Sequence, residues 1–368
     1  MKKGCLAVLL AVLVLGVTAC GEKEHTDETQ QAQEAVGEEQ AEEEEVSATK
    51  QVTYADLKST VTSLGEYKGI SVERTEEEVT DEMVENEVWG VKKELASLQD
   101  IEREAQIRDV VIIDYTGYVD GKTQDSLQGS AYELELGSGA FVPGFEEQLL
   151  GVKNGEDREV VLTFPEDYYE DMAGKEARFE VHVQKVQEYV LPEDWKEALL
   201  EMGYENEEDI SVKARKELEK VAEEDADANM EYDLLMKVIE GSTYEIQEAD
   251  AKAYTDEMMR EYQMYAAMYG MDLESYLTQM GKTEEEVRKM YQETAEFRVK
   301  LILTLHEIAK VENIEVTEEE CQETLKELAA QYGYEGTEEV EAVYGREMVE
   351  DQLIQEKVIN LIRSNANY

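Results

Sequence analysis

The feature that most constrains this chain is a hydrophobic period that changes twice along its length. From Thr80, TDEMVENEVWGVKKELASL sets Val84, Val88, Val91, Leu95 and Leu98 at spacings of four and three, the repeat of an amphipathic helix. A strand is expected just before it, at YKGISVERT. From about Asp109 the texture becomes alternating or short apolar runs between turn signals: VVIIDYTGYV, Asp120-Gly121, YELELGSG, REVVLTF and ARFEVHVQKVQEYV. That pattern predicts a small antiparallel β-domain, with one short helix at Phe145 to Leu150. Leu191-Pro192-Glu193 ends it. Beyond, to Tyr368, the helical repeat returns, with Leu218, Val221, Tyr232, Leu235 and Ile239 in one stretch and Leu353, Val358, Leu361 and Ile362 in the last. With 368 residues the chain has room for two or three cores, so an α+β multidomain protein is expected.

Charge narrows the partners. Lys and Arg number 35 against 89 Asp and Glu, a formal net charge of −54. So anionic a surface repels phosphate backbones and anionic lipid, so no nucleic acid partner is expected and no membrane docking through charge. Attachment is expected to come from the N-terminus instead. Lys2 and Lys3 precede an apolar run from Cys5 to Val17, too short to span a bilayer, which reads as a secretory signal. It closes on Val17-Thr18-Ala19-Cys20, which resembles the lipobox of bacterial lipoproteins. That resemblance implies a signal peptide over 1–19, lipidation of Cys20, and a chain held on the extracytoplasmic side of the cell membrane by acyl chains worth ~0.8 kcal/mol per buried methylene. Residues 21–50 have no aromatic residue and little to bury, and are expected to form a disordered acidic tether. Cys321, without an intramolecular partner once Cys20 is acylated, is expected to pack inside a helix.

Familiar catalytic constellations are missing. His25, His182 and His306 lie far apart, and there is no HExxH, paired CxxC, GxSxG or phosphate-cradling Gly loop. No metal and no cofactor is called for. Any chemistry here has to work through a shaped apolar pocket rather than a nucleophile.

The ordered set VVIIDYTGYVDGK, YELELGSGAFVPGFEEQLLGVKNGE, LTFPEDYY and GKEARFEVHVQKV resembles the FKBP-type prolyl isomerase domain, most closely that of trigger factor. YKGISVERTEEEVTDEMVENEV resembles the connector preceding that domain, and the helical remainder resembles the chaperone arms, so the likeness spans roughly 66–365. The implied architecture is a signal at 1–19, tether at 20–50, connector at 51–106, an FKBP-like antiparallel β-sheet domain with a short helix at 107–190, and an all-α trigger-factor/SurA-like chaperone domain at 191–368. Where that family carries a basic ribosome-docking signature, this chain has the lipid signal and acidic tether, so ribosome binding is not expected.

Carried over by motif, the resemblance implies a proline pocket of Tyr115, Tyr132, Phe141, Val142, Phe145 as its floor, Tyr168 and Phe179, with Asp125 facing the twisted carbonyl and the Val142 N–H offered to the peptide. Read without the resemblance, Tyr115, Phe145 and Phe179 are equally ordinary core aromatics of a small β-domain. The family usually has an aromatic just before the pocket aspartate, whereas this chain has Gln124, a polar wall that weakens proline binding. In the helical region, seven of fourteen methionines fall between Met258 and Met290. Met258, Met259, Met264, Met268 and Met271, interleaved with Tyr262, Tyr265 and Tyr269, suit a surface that accepts many apolar segments, or else a mobile helical core. The expectation is an anchored peptidyl-prolyl cis-trans isomerase and chaperone for unfolded exported polypeptides. Its rival is a catalytically inactive FKBP-like domain in a pure holdase.

Overall fold

A computed structural model describes residues 51–123, 125–169 and 172–368, apart from the Asp125 side chain. The expected signal peptide, the Cys20 anchor, the tether to residue 50 and Gln124 lie outside the described residues. In chain order the elements are β1 (Thr60–Ser63), α1 (Asp81–Leu95), β2 (Ser97–Asp100), β3 (Val110–Val119), β4 (Gln128–Glu135), α2 (Phe145–Leu149), β5 (Asp157–Thr163), β6 (Glu176–Val190), α3 (Trp195–Glu201), α4 (Glu207–Gly241), β7 (Thr243–Glu245), α5 (Glu248–Met268), α6 (Leu273–Gln279), α7 (Glu284–Glu312), α8 (Glu318–Tyr332), α9 (Thr337–Tyr344) and α10 (Arg346–Ser364). The chain divides into two compact units, one from Glu77 to Ala222 and the other from the segment up to Glu76 together with Glu223–Tyr368.

The first unit holds a five-stranded antiparallel sheet in which β2, β6, β3 and β4 run side by side and β5 pairs with β6. Strict alternation in β6 buries Ala177, Phe179, Val181 and Val183 on one face. With Val111, Ile113, Leu134, Leu136, Val160, Leu162 and the α2 residues Phe145 and Leu149, they make one core. The strand residues share the face that a period of two presents, and Phe145 and Leu149 reach it from α2. Helix α1 is capped as its sequence implies, the Thr80 hydroxyl accepting from the Met83 N–H and lysines closing the last turn. It is shorter than the apolar spacing suggested. The helix stops at Leu95, and Leu98 sits in β2, paired with Tyr189 of β6. Sheet pairing overrides the helical repeat there.

The second unit is helical around a two-stranded antiparallel sheet of β1 and β7. Its main core joins Met230, Leu234 and Val238 of α4 to Leu305 and Ile308 of α7 and Val358 and Ile362 of α10. The strand expected at YKGISVERT does not form. That stretch makes one parallel bridge, Ser71 to Asn367, in which the Gly69 and Val72 N–H groups donate to the Asn365 and Asn367 carbonyls and the Asn367 N–H donates to the Ile70 carbonyl, and it lends Val72 to the helical core. The expected 51–106 connector consequently divides, its part up to Glu76 lying in the helical unit and the rest in the sheet unit. Cys321 is fully buried in α8 beside Leu325 and Val349.

Candidate functional site

One end of the sheet core gathers aromatic side chains from separate parts of the chain. Strands β3 and β4 bring Tyr115 and Tyr132 to ring centroids 6.1 Å apart, edge to face. Phe141, from the loop before α2, meets Tyr115 at 5.2 Å and Tyr132 at 5.4 Å. Phe145 of α2 stacks on Phe141 at 4.2 Å and meets Phe179 of β6 edge-on at 5.2 Å. Five of the residues expected in the pocket thus form one interlocked set, and Val142 packs against the same core. Such edge-to-face and offset pairs each add about 0.5–1.5 kcal/mol beyond their buried area.

Two expectations change. Phe145 has no exposed surface at all, being covered by Phe141, so the accessible lining is Tyr115, Tyr132, Phe141 and Val142 rather than a bare Phe145 floor. Tyr168 is not in ring contact with that set. It stacks on Phe164 at 4.8 Å and meets the exposed Tyr169 at 5.0 Å, in a second aromatic group on the same core. Asp125 opens a single 3-10 turn, Asp125–Leu127, that leads into β4. Burial pushes the phenols of Tyr115 and Tyr168 up, with Tyr132 reinforcing the shift at Tyr115, so both hydroxyls stay neutral donors at physiological pH.

Three supporting residues were not singled out from the sequence. A Cβ on Gly129 would lie 2.5 Å from the Tyr115 ring, and one on Gly117 would lie 2.4 Å from the Phe179 ring. Both positions are glycine because the rings occupy the space. Glu146 is buried at the second position of α2, where its carboxylate accepts the N–H groups of Gly137 at 2.7 Å, Gly139 at 3.2 Å and Phe141 at 3.1 Å. That clamp fixes the backbone that carries Phe141. Glycines in a strand and a buried carboxylate beside a short helix are the only sequence signals for these roles.

The methionine-rich stretch separates by exposure. Met259 is buried with Leu277, Val287 and Tyr291 and belongs to the helical core, not to a client surface, because α5 turns it inward against α6 and α7. Met258 and Tyr262 are half-buried against that core, with the Tyr262 and Tyr291 hydroxyls 2.9 Å apart. Met264, Tyr265, Met268 and Tyr269 are exposed, Met268 at 80%, and Met271 is half-buried. Four large apolar or amphipathic side chains therefore face solvent at the end of α5. Among the described residues no cluster of His, Cys, Asp and Glu is placed to hold a metal ion, and no helix is long and apolar enough to cross a membrane.

Comparison with known proteins places this geometry in a class. Residues 102–184 match the family of FKBP-type peptidyl-prolyl cis-trans isomerases, and residues 208–364 match the bacterial trigger factor protein (TF) C-terminus. An FKBP-type isomerase domain is therefore joined here to a helical chaperone domain. Trigger factor of Geobacillus sp. (strain WCH70) is 37% identical over 308 residues, 82% of this chain and 72% of that protein. Trigger factor of Bacillus subtilis (strain 168) is 35% identical over 307 residues, again 82% and 72%. The chain belongs to the trigger factor family. A solved structure reported as "Promiscuous Substrate Recognition in Folding and Assembly Activities of the Trigger Factor Chaperone" matches with a TM-score of 0.34 at 20% identity, over 86% of this chain and 80% of that one, too loosely to carry an argument.

Proposed function

We propose that the interlocked rings of Tyr115, Tyr132, Phe141, Phe145 and Phe179 mark the proline site, and that the chain is a membrane-anchored foldase acting outside the cytoplasm. The observation that carries the first part is the convergence of those five rings within the segment matched to FKBP-type isomerases. Rotation about an X–Pro bond faces a barrier of ~18–20 kcal/mol and needs no covalent step. Apolar walls exclude the water that stabilises the planar, charge-separated amide and favour the twisted form. Tyr115 and Tyr132 supply hydroxyls at the rim, Phe141 and Val142 supply the apolar contact, and Phe145 and Phe179 hold Phe141 and the sheet wall in place. Tyr168 and Asp125 flank the segment that binds the peptide.

The anchor rests on Lys2, Lys3, the following apolar run and Cys20. Clients are unfolded exported polypeptides rather than chains on the ribosome, and they meet Met264, Tyr265, Met268 and Tyr269, whose flexible thioethers and amphipathic rings accept varied apolar segments. A second reading, a holdase with a silent isomerase domain, is favoured by one observation, the complete burial of Phe145 beneath Phe141.

Refolding of a proline-limited substrate by the full chain distinguishes the two. Acceleration that is lost in folded Tyr115→Ala and Tyr132→Ala chains supports the isomerase. Suppressed aggregation without acceleration by the parent chain selects the holdase. Incorporation of labelled fatty acid by the parent but not by Cys20→Ser tests the anchor, and equal incorporation, or none, refutes it.

A further inference from the structure

Tyr115 and Tyr132 share a sheet face, because Tyr132 pairs with Ile113 and Tyr115 follows two residues later, but the ladder between them is irregular. Ile113 pairs with Tyr132, yet Tyr115, two residues on, pairs with Gly129, three residues back. Strand β4 therefore carries one extra residue between Gly129 and Tyr132. Its mark is Ala131 at φ +51°, a left-handed backbone that is strained for a residue with a Cβ. In a regular strand Ser130 would face Tyr115 and Gly129 would point away. With the bulge, Gly129 lies under the Tyr115 ring, in space that a Cβ would fill at 2.5 Å.

The other neighbour of β3 is irregular at the same level. Ile112 pairs with Lys185 and Ile113 with Val183, so Gln184 is an extra residue in β6. Asp114 sits between the two irregularities, on the sheet face opposite Tyr115. Its carboxylate accepts from the Ser130 hydroxyl at 2.6 Å and the Ala131 N–H at 2.9 Å on one side, and from Gln184 Nε2 at 2.8 Å on the other. One side chain thus bonds to both bulges. These bonds hold the carboxyl down at about 2, the Ser130 hydroxyl contributing most, so the clamp is ionised throughout the physiological range.

We propose that Asp114 is a positioning residue for the isomerase site, fixing the Ala131 bulge and through it the seating of the Tyr115 ring over Gly129. The inference rests on the ring cluster being the proline site, but its geometric half stands apart from that reading. Bulges beside active sites commonly re-aim a side chain, and a displacement of about 1 Å in a positioned group costs up to a hundredfold in rate.

The test uses the full chain with Asp114→Ala, Asp114→Ala/Ala131→Gly and, as a control on the same sheet face, Asp157→Asn. Glycine adopts the left-handed conformation without steric cost, so Ala131→Gly restores the bulge where the clamp is missing. Two readouts are taken from the folded chains. One is kcat/KM for an X–Pro peptide, and the other is the position of the Gly129 amide resonance, which the Tyr115 ring current displaces. In Asp114→Ala we expect kcat/KM to fall at least about tenfold with the Gly129 resonance moved, both largely restored by Ala131→Gly and both unchanged in Asp157→Asn.

An unmoved Gly129 resonance in Asp114→Ala overturns the proposal, as does a loss that Ala131→Gly fails to restore. A parent chain without isomerase activity overturns the catalytic half together with the reading of the site. The resonance still decides whether Asp114 sets the bulge.

Discussion

The Phe141 ring lies over the Phe145 ring, centroids 4.2 Å apart and planes 24° from parallel, and Phe145 is left with no exposed surface. Phe141 itself is only half-buried. The Glu146 clamp holds the backbone of Phe141 over Phe145, which Tyr115 and Phe179 also cover. Core and contact roles in the cluster are thereby separable by mutation.

Phe145→Ala removes a fully buried ring packed on three others, and a cost of about 3–5 kcal/mol is expected in denaturant unfolding of the sheet unit. Tyr132→Ala, at a half-buried rim position, is expected to cost under about 2 kcal/mol while lowering kcat/KM for an X–Pro peptide. Equal destabilisation by both would mean that Tyr132 is a core residue.

Glu146→Ala leaves the N–H groups of Gly137, Gly139 and Phe141 without their acceptor. A loss of about 2–3 kcal/mol is expected, with faster hydrogen exchange at those three amides than in the parent. Glu146→Gln keeps one carbonyl oxygen and should cost less. Unchanged exchange in Glu146→Ala would show that the loop is held by other contacts.

In the helical unit, His306 and Asp351 oppose one another in pH dependence. His306 is stacked under Tyr54 at 4.0 Å with its Nε2 3.3 Å from the Asp351 carboxylate, and that carboxylate accepts the Tyr54 N–H at 2.6 Å. Burial, helped by Lys310, lowers His306 to about 4, so its contribution to stability fades as pH falls from 6.5 towards 4. Burial raises Asp351 to about 6 against the Tyr54 N–H bond, with Glu347, Asp56 and Glu350 adding to the rise. The fold then binds a proton that the unfolded chain takes up only near 3.8, and its stability grows as pH falls through 6. The two trends largely cancel between about pH 6.5 and 4.5. Asp351→Asn removes the compensating one, and relative to the parent it should lose about 1 kcal/mol between about pH 7 and 4.5, the full shift being discounted for partial exposure. A constant difference between variant and parent across that range would exclude the compensation.

Met268→Asp places a charge on the most exposed apolar side chain of α5. Aggregation suppression is expected to weaken several-fold with thermal stability and X–Pro peptide turnover unchanged. Met259→Ala, by contrast, should destabilise the fold by about 2–5 kcal/mol, because that side chain is buried with Leu277, Val287 and Tyr291. A Met268→Asp chain with full holding activity would place the client surface elsewhere.

Much of this architecture is legible in the order of residues along the chain. Strand β3 coincides with VVIIDYTGYV, and β6 with the alternating run after Lys175, because a period of two specifies which face is buried. The interlocked rings follow from FVPGF and its companion motifs, and helix α1 from the apolar repeat after Thr80. What the sequence alone determined is therefore the succession of helix α1, the strands β3 to β6 with α2, and a helical remainder, together with the family and most side chains of the ring cluster. Tertiary structure decided whatever depends on a neighbour distant in the chain. Leu98 left the helix for a strand because β6 offered a ladder, and YKGISVERT became a packed segment because Asn367 and the helical core were there to receive it. Met259 turned inward while Met268 did not, a choice that spacing within α5 leaves open until α6 and α7 are in place. The Ala131 bulge, the space above Gly129 and the hydrogen bonds from Asp114 to both neighbouring strands are likewise written in no local pattern, because register between strands is a property of the pair.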